Sequence, residues 1–85
     1  MKEKIRLRKK AKAMDPILRM GKEGASDSFI GELGKVLKKR KLVKIKLLKS
    51  SFENKNKEEM ISQIIQKTNS DLIDAVGNVI VIYRK

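Results

Sequence analysis

The order of the structural elements is decided by residues 16–30, PILRMGKEGASDSFI, in which a glycine-containing loop separates two regular patterns. Residues 16–20 are mostly apolar and have the length of a short strand, with proline tolerated at its first position. From Ser26 onward the apolar residues recur at helical spacing, and Ser26 or Asp27 is a suitable N-cap. The stretch therefore predicts a strand, a loop over residues 21–24 and a helix.

The loop, Gly-Lys-Glu-Gly at residues 21–24, has the composition of a phosphate-binding turn. Glycine has no Cβ, so it adopts positive φ and lets another backbone approach closely. The helix that follows contributes unpaired N–H groups and the positive end of its dipole, which both favour an anion. Lys22 adds a positive charge, whereas Glu23 is expected to point away from the anion. Because two glycines three residues apart also occur in ordinary turns, the pattern alone leaves a plain turn as the alternative.

The positive charge of the chain is concentrated toward its N-terminus. The net charge is +12, with 22 Lys or Arg against 10 Asp or Glu. Residues 1–50 contain 17 of the basic and 5 of the acidic side chains, whereas residues 51–85 contain 5 of each. A basic half that carries a candidate phosphate loop is what binding to nucleic acid requires. Composition leaves an acidic membrane surface and a lysine-rich solubilising face as alternatives.

The residue types that are absent narrow the possible functions. The chain has no cysteine and no histidine, which removes thiolate chemistry, disulfides and the commonest general base. The acids show no paired arrangement beyond Glu58 and Glu59, which point in different directions on a helix. We therefore expect no enzymatic activity, no metal and no cofactor. Because no apolar run reaches 18 residues and residues 1–4 lead into charge rather than a signal peptide, we expect a cytoplasmic protein without a membrane span.

The remaining patterns predict one α/β domain over residues 1–85. The predicted elements are a basic helix over residues 3–14, a strand over 16–20, a helix beginning near Ser26, a strand over 42–48, a helix from about Lys57 to Thr68, and strands over 71–76 and 79–83. Gly77 and Asn78 suit a type II′ hairpin with glycine first. Residues 79–82 are apolar on both faces, which favours a central strand. The predicted fold is a sandwich in the order α-β-α-β-α-β-β, with a mixed four-stranded sheet packed with helices.

Two features of these elements bear on binding. In the strand over residues 42–48, apolar side chains alternate with Lys44 and Lys46, so one face of the sheet is expected to be basic. Phe52 lies in a polar loop, where it is either a hydrophobic anchor, which we favour, or a platform on which a base stacks.

These residues resemble the CRM domain, a family named for chloroplast RNA splicing and ribosome maturation, whose stand-alone members are called YhbY-like. Four blocks carry the resemblance in order: Leu7-Arg8-Lys9-Lys10-Ala11 before Pro16, Gly21-Lys22-Glu23-Gly24 with Asp27, Phe29 and Ile30, Leu42-Val43-Lys44-Ile45-Lys46, and Gly77-Asn78-Val79-Ile80-Val81-Ile82-Tyr83-Arg84. The chain departs from the family pattern at Met20, where isoleucine or valine is common, and at residues 68–70, where Thr-Gly-Ala is common. Neither departure touches the proposed phosphate contacts.

The resemblance implies a fold similar to the C-terminal domain of bacterial translation initiation factor three. It also implies binding of structured RNA through the GxxG loop and the adjoining basic surfaces. Stand-alone members are associated with precursors of the large ribosomal subunit, so large-subunit ribosomal RNA or its precursor is the expected partner. The alternatives are a module that docks on acidic proteins and an RNA-binding helper in splicing or transfer RNA processing. The oligomeric state is left open.

The expected RNA-binding residues are the loop and the cations around it: Gly21, Lys22, Gly24, Lys9, Lys12, Arg19, Lys38, Lys39, Lys44 and Lys46. With one tyrosine, two phenylalanines and no tryptophan, the chain has little capacity to stack many single-stranded bases. Folded RNA recognised by its shape and backbone is therefore favoured. Tyr83 is expected to pack under the sheet, while Arg84 is open to packing or to RNA contact.

Overall fold

A computed structural model describes residues 2–51 and 56–85 and confirms the predicted order of elements. The elements are α1 (Lys2–Lys12), β1 (Leu18–Met20), α2 (Asp27–Arg40), β2 (Leu42–Leu47), a 3₁₀ turn (Lys49–Ser51), α3 (Lys57–Thr68), β3 (Asp71–Val76) and β4 (Val79–Tyr83). The first helix and the first two strands are shorter than predicted. Phe52 lies outside the described residues, so its role stays a prediction.

The four strands form one mixed sheet in the order β1-β2-β4-β3. The pair β1–β2 is parallel, and the other two pairs are antiparallel. The prediction that β4 is a central strand is confirmed, because β4 lies between β2 and β3. Gly77 has a φ of 59° and Asn78 does not have a positive φ, which is the combination that a type II′ hairpin uses.

Two apolar clusters of different size cover the two faces of the sheet. The large core lies under α2 and α3 and contains Met20, Leu33, Leu37, Val43, Ile45, Leu47, Met60, Ile61, Ile64, Ile80 and Ile82. The small core lies under α1 and contains Ala11, Leu42, Ile73 and Val81, with Leu7, Met14 and Tyr83 packed at its edge. Leu7 and Ala11 of α1, and Met14 just after it, thus face the sheet. In the described ranges, no helix combines the length and the apolar character that crossing a membrane demands.

The N-terminus of α2 is fixed directly after the predicted phosphate loop. Ser26 is the N-cap, and its hydroxyl oxygen accepts the N–H of Phe29 at 3.2 Å. This bond satisfies one of the donors that a helix leaves unpaired at its start. At the other end of α2, Lys41 has a φ of 64° and donates its N–H to the carbonyl of Leu37 at 2.8 Å. The helix therefore begins at the loop and ends in a sharp reversal into β2.

Candidate nucleic-acid interface

The two glycines of the loop are not equivalent. The N–H of Gly24 donates to the carbonyl of Gly21 at 2.9 Å and closes a turn. Gly24 is buried with a φ of 63°, and a Cβ placed on it would lie 3.1 Å from Met60 Cε and 3.6 Å from Ser51 O. Gly21 does not have a positive φ, and a Cβ there would meet only Leu48 Cδ1 at an ordinary 3.9 Å. Gly24 therefore shapes the loop, whereas Gly21 tolerates a side chain.

The loop and the first turn of α2 line a shallow pocket of about 270 Å³. Within the described part of the chain, the N–H groups of Asp27 and Ser28 have no partner and remain available to an anion. Lys22 is exposed at this pocket, but the acidic residues Glu23 and Glu32 line it too. The loop thus supplies N–H donors but carries no net charge, because Glu23 offsets Lys22.

Arg19 and Lys46 form a pair of adjacent cations beside the loop. They are register partners in β1 and β2, and both are exposed. Among residues 2–51 and 56–85, Arg8 is the one cation that has a carboxylate within 4.0 Å. Neither Arg19 nor Lys46 therefore has an acidic partner in these ranges. Like charges on neighbouring strands repel each other, and an external anion would relieve that repulsion. Arg19 lies two residues before Gly21 in the chain, so the pair is close to the start of the loop.

Lys44 has a structural task as well as a charge. It is half-buried beneath α1, and its ammonium donates to the carbonyl of Ala11 at 3.2 Å and to that of Met14 at 3.1 Å. The Ala11 carbonyl lies in the last turn of α1 and the Met14 carbonyl just beyond it, where a cation also interacts favourably with the helix dipole. The predicted basic face of the sheet is therefore partly covered by α1, and exposed cations remain at Lys46 and Arg19.

The other predicted cations divide into two places. Lys12 borders the same pocket as Lys44, between α1 and the sheet, and Lys9 is exposed on α1. Lys38 and Lys39 are exposed in the last turn of α2. That turn lies about 17 Å from the start of the helix at a rise of 1.5 Å per residue. The structure thus brings Lys12 near Lys44 and keeps Lys38 and Lys39 apart from the loop.

Sequence reasoning did not select Arg8 and Asp74, which meet at the edge of the sheet. A β-bulge between Leu72 and Asp74 inserts Ile73 into β3. The Nε of Arg8 donates to Ile73 O at 2.9 Å and lies 3.9 Å from Asp74 Oδ1. Of the two carboxylates in β3, Asp71 is exposed at the first position, whereas Asp74 is half-buried between apolar residues, and this position was the signal in the sequence. The pair attaches α1 to the bulge.

The C-terminal residues Tyr83 and Arg84 pack against the protein. Tyr83 is half-buried beside the small core, as predicted. The guanidinium of Arg84 donates to Thr68 O at 3.1 Å and to Gly34 O at 3.3 Å. Arg84 therefore links α2 to the end of α3, a contact that gives it a structural role.

Comparison with known proteins gives consistent family matches over nearly the whole chain. The family profile described as the CRS1 / YhbY (CRM) domain matches residues 1–84. The "Probable RNA-binding protein YqeI" of Bacillus subtilis is 33% identical over 84 residues, which cover 99% of this chain and 85% of that protein. The "Probable RNA-binding protein MJ0652" of Methanocaldococcus jannaschii is 34% identical over 98% of this chain, which spans 61% of that protein.

A solved structure shares both the fold and a third of the residues. The solution structure of the hypothetical protein SAV1595 from Staphylococcus aureus superimposes with a TM-score of 0.80 at 34% sequence identity. The likeness covers 99% of this chain and 85% of that one. Together with the profile match, it shows that this chain belongs to the CRS1 / YhbY (CRM) domain family.

Proposed function

We propose that this protein binds structured RNA, with phosphates contacted by the loop at residues 21–24 and by the cations beside it. The observation that carries the proposal is the pair Arg19 and Lys46, two exposed cations on adjacent strands without an acidic partner in the described residues, at the strand that leads into the loop. A bound polyanion relieves the repulsion between these two cations. The N–H groups at the start of α2 add uncharged donors for a phosphate.

RNA is favoured over an acidic protein as the polyanion. Relatives of this chain in Bacillus subtilis and Methanocaldococcus jannaschii carry the name of RNA-binding proteins. Repulsion between adjacent cations is relieved best by closely spaced charges, and the phosphates of a nucleic acid recur at every nucleotide. We propose a binding function without catalysis, and an RNA-cleaving activity abolished by Glu58→Gln or Glu59→Gln would contradict it.

The salt dependence of binding tests the phosphate contacts. Affinity for an RNA hairpin is measured over a series of salt concentrations for the wild type, for Lys46→Gln and for Lys85→Gln as a control that lies outside the predicted set. Loss of one phosphate contact is expected to reduce the slope of log affinity against log salt by about 0.7–0.9. Lys46→Gln should show this reduction and Lys85→Gln should not. Equal slopes for the three proteins would remove Lys46 from the interface.

The loop is tested by reversing its one positive charge. Lys22 is exposed and makes no hydrogen bond among the described residues, so Lys22→Asp is expected to leave the fold intact. The change places a third carboxylate beside Glu23 and Glu32, and RNA affinity should fall by about tenfold or more, which corresponds to roughly 1.4 kcal/mol. An unchanged affinity would exclude the loop from the binding site.

The RNA that we propose is large-subunit ribosomal RNA or its precursor, because the family resemblance associates stand-alone CRM proteins with precursors of that subunit. Ultraviolet crosslinking in the native cell, followed by sequencing of the attached RNA, tests this step. Reads concentrated on large-subunit ribosomal RNA would support a role in ribosome assembly. Reads on introns or transfer RNA would support RNA binding but contradict the role in ribosome assembly. An absence of enrichment for any RNA would favour an acidic protein partner.

A further inference from the structure

A second pocket, of about 360 Å³, lies between α1 and the hairpin of β3 and β4. Its floor is apolar and is formed mainly by the valines of the hairpin, while its rim carries three cations and one carboxylate. A volume of this size is at the lower end of sites that bind small organic groups. It is therefore suited to a single planar group rather than to a stack of several.

The three valines of the floor differ in exposure, from the buried Val81 through the half-buried Val79 to the open Val76. Val76 is 69% exposed, although it is a large apolar residue. It pairs with Val79 across the hairpin, and Val81 pairs with Asp74 further along the same two strands. All four side chains border the pocket. At Val76 the floor thus offers an apolar contact surface that the described part of the chain leaves uncovered.

One wall of the pocket is a guanidinium group held in place. The Nε of Arg8 donates to Ile73 O at 2.9 Å, and the Nη atoms have no partner among the described residues. A guanidinium is planar, and unpaired RNA bases stack on such planes as they do on aromatic rings. Because the bond to Ile73 orients the group before a ligand arrives, little rotational freedom is lost on stacking. Arg8 supplies a flat face in a chain that has few aromatic residues.

The carboxylate of Asp74 supplies a directional acceptor at the same pocket. Its Oδ1 accepts the N–H of Ala75 at 3.0 Å, and its Oδ2 has no partner in the described ranges. The side chain is 31% exposed, so Oδ2 can be reached by a ligand. Carboxylates of this kind accept the exocyclic amino group of cytosine. An isolated acid would repel RNA, but the cation of Lys12 borders the same pocket and offsets the charge.

We propose that this pocket binds one unpaired base of the RNA, with cytosine preferred, stacked on Arg8 and hydrogen-bonded to Asp74. The site depends on the RNA binding proposed above and adds a base-reading contact to a surface that otherwise contacts phosphates. A cationic rim around one carboxylate matches a nucleotide, whose phosphate is anionic and whose base carries an amino group. An apolar peptide side chain would match the valine floor alone.

The test compares two RNA hairpins that differ at one position. Each has a single unpaired nucleotide in its stem, which is cytidine in one RNA and an abasic residue in the other, so the number of phosphates is the same. The wild-type protein is expected to bind the cytidine RNA about tenfold more tightly, because the abasic RNA lacks the base that stacks on Arg8. The change Val79→Phe fills the pocket and should abolish this difference while keeping the affinity for the abasic RNA. The control Ile5→Phe adds the same ring at an exposed position of α1 outside the pocket and should preserve the difference.

A second variant tests the hydrogen bond without altering the packing. In Asp74→Asn the amide oxygen can still accept the N–H of Ala75, which turns an amide donor toward the ligand position. The preference for an unpaired cytidine over an unpaired uridine should then decrease or reverse, because uracil presents a carbonyl oxygen where cytosine presents the amino group.

Three outcomes separate the two proposals. If the wild type binds the cytidine and abasic RNAs equally, the pocket does not bind a base, while the proposed phosphate binding stands. A protein partner would then be the remaining candidate to cover the valine floor. If the difference is present and unaffected by Val79→Phe and Asp74→Asn, the base is read elsewhere and the pocket is again excluded. If neither RNA binds, RNA binding and the base pocket both fail.

Discussion

The two faces of the sheet are held to their helices by different means. The large core joins α2 and α3 to one face through eleven buried apolar residues. The small core joins α1 to the other face through four, and cations complete the attachment. Arg8 donates to the carbonyl of Ile73, and Lys44 donates to the carbonyls of Ala11 and Met14. One face is stabilised by apolar burial, and the other by apolar burial together with charged donors.

This difference shows that a basic residue on the α1 side is not automatically a binding residue. Lys44 and Lys46 are two residues apart on one strand and project from the same face, yet Lys44 is engaged with α1 and Lys46 is exposed. The cation of Lys44 contributes to the fold, whereas that of Lys46 is available to a ligand. The α1 side therefore combines cations that hold the fold with exposed cations on one surface, and substitutions are needed to separate them.

The largest effect is expected from truncation in the large core. Leu33 is fully buried, so Leu33→Ala should lower the free energy of unfolding by about 3 kcal/mol through lost burial and the cavity left behind. Leu7→Ala, the matched change at the half-buried edge of the small core, should cost about 1 kcal/mol. Urea denaturation measures both. Equal losses would show that the small core is as strongly packed as the large one.

The next effect concerns Gly24, which attaches the loop to the large core. In Gly24→Ala the Cβ would approach Met60 closely at a positive φ, and the expected loss is about 2 kcal/mol. Gly21→Ala meets only ordinary contact and should change the unfolding free energy little. Thermal and urea unfolding of the two variants measure both losses. A strong destabilisation by Gly21→Ala would contradict the unequal roles of the glycines.

A smaller effect separates the cations of β2. Lys44→Met keeps the aliphatic stem but removes the donor to Ala11 and Met14, so a loss of about 1 kcal/mol is expected. Lys46→Met should not reduce stability, and it should weaken RNA binding. Urea denaturation and RNA titration of both proteins are needed. If Lys44→Met is neutral in stability, the contacts at the end of α1 are not what holds this helix.

The smallest effect is on the repulsion between Arg19 and Lys46. In Lys46→Gln this repulsion is lost, and stability at low salt should rise by about 0.3 kcal/mol. Added salt screens exposed charges, so the gain should vanish toward 1 M salt. Melting temperatures at the two salt concentrations measure it. A gain that is independent of salt would point to a cause other than charge.

Most of the fold follows from local patterns in the sequence. The alternation in β2, the inward stripe of α2 and the pair Gly77-Asn78 are local features, and the elements they predict are present. Even the central position of β4 follows from apolar residues on both of its faces. These features work because helix and strand periods place side chains on a face regardless of what lies opposite.

The features that escaped prediction depend on contacts between distant parts of the chain. The pattern of apolar residues in β3 gives no sign of the β-bulge at Ile73. The sequence alone therefore could not place Asp74 beside Arg8. Lys44 has the same pattern signal as Lys46, and only the position of α1 above it distinguishes the two. The positive φ of Gly24 could be anticipated from the loop, but its close contact with Met60, 36 positions further along the chain, could not. Sequence patterns show which face a residue is on, but not what covers that face.

The position of β4 also affects how the domain folds during synthesis. Ile80 and Ile82 belong to the large core and Val81 to the small core, so both cores need residues 79–83. While these residues are still inside the exit tunnel of the ribosome, β2 and β3 have no strand between them, and neither face of the sheet is complete. Contacts distant in sequence form slowly and leave apolar surface exposed until they close. Co-translational folding of this domain is therefore expected as one late event, with chaperone access to the nascent helices beforehand.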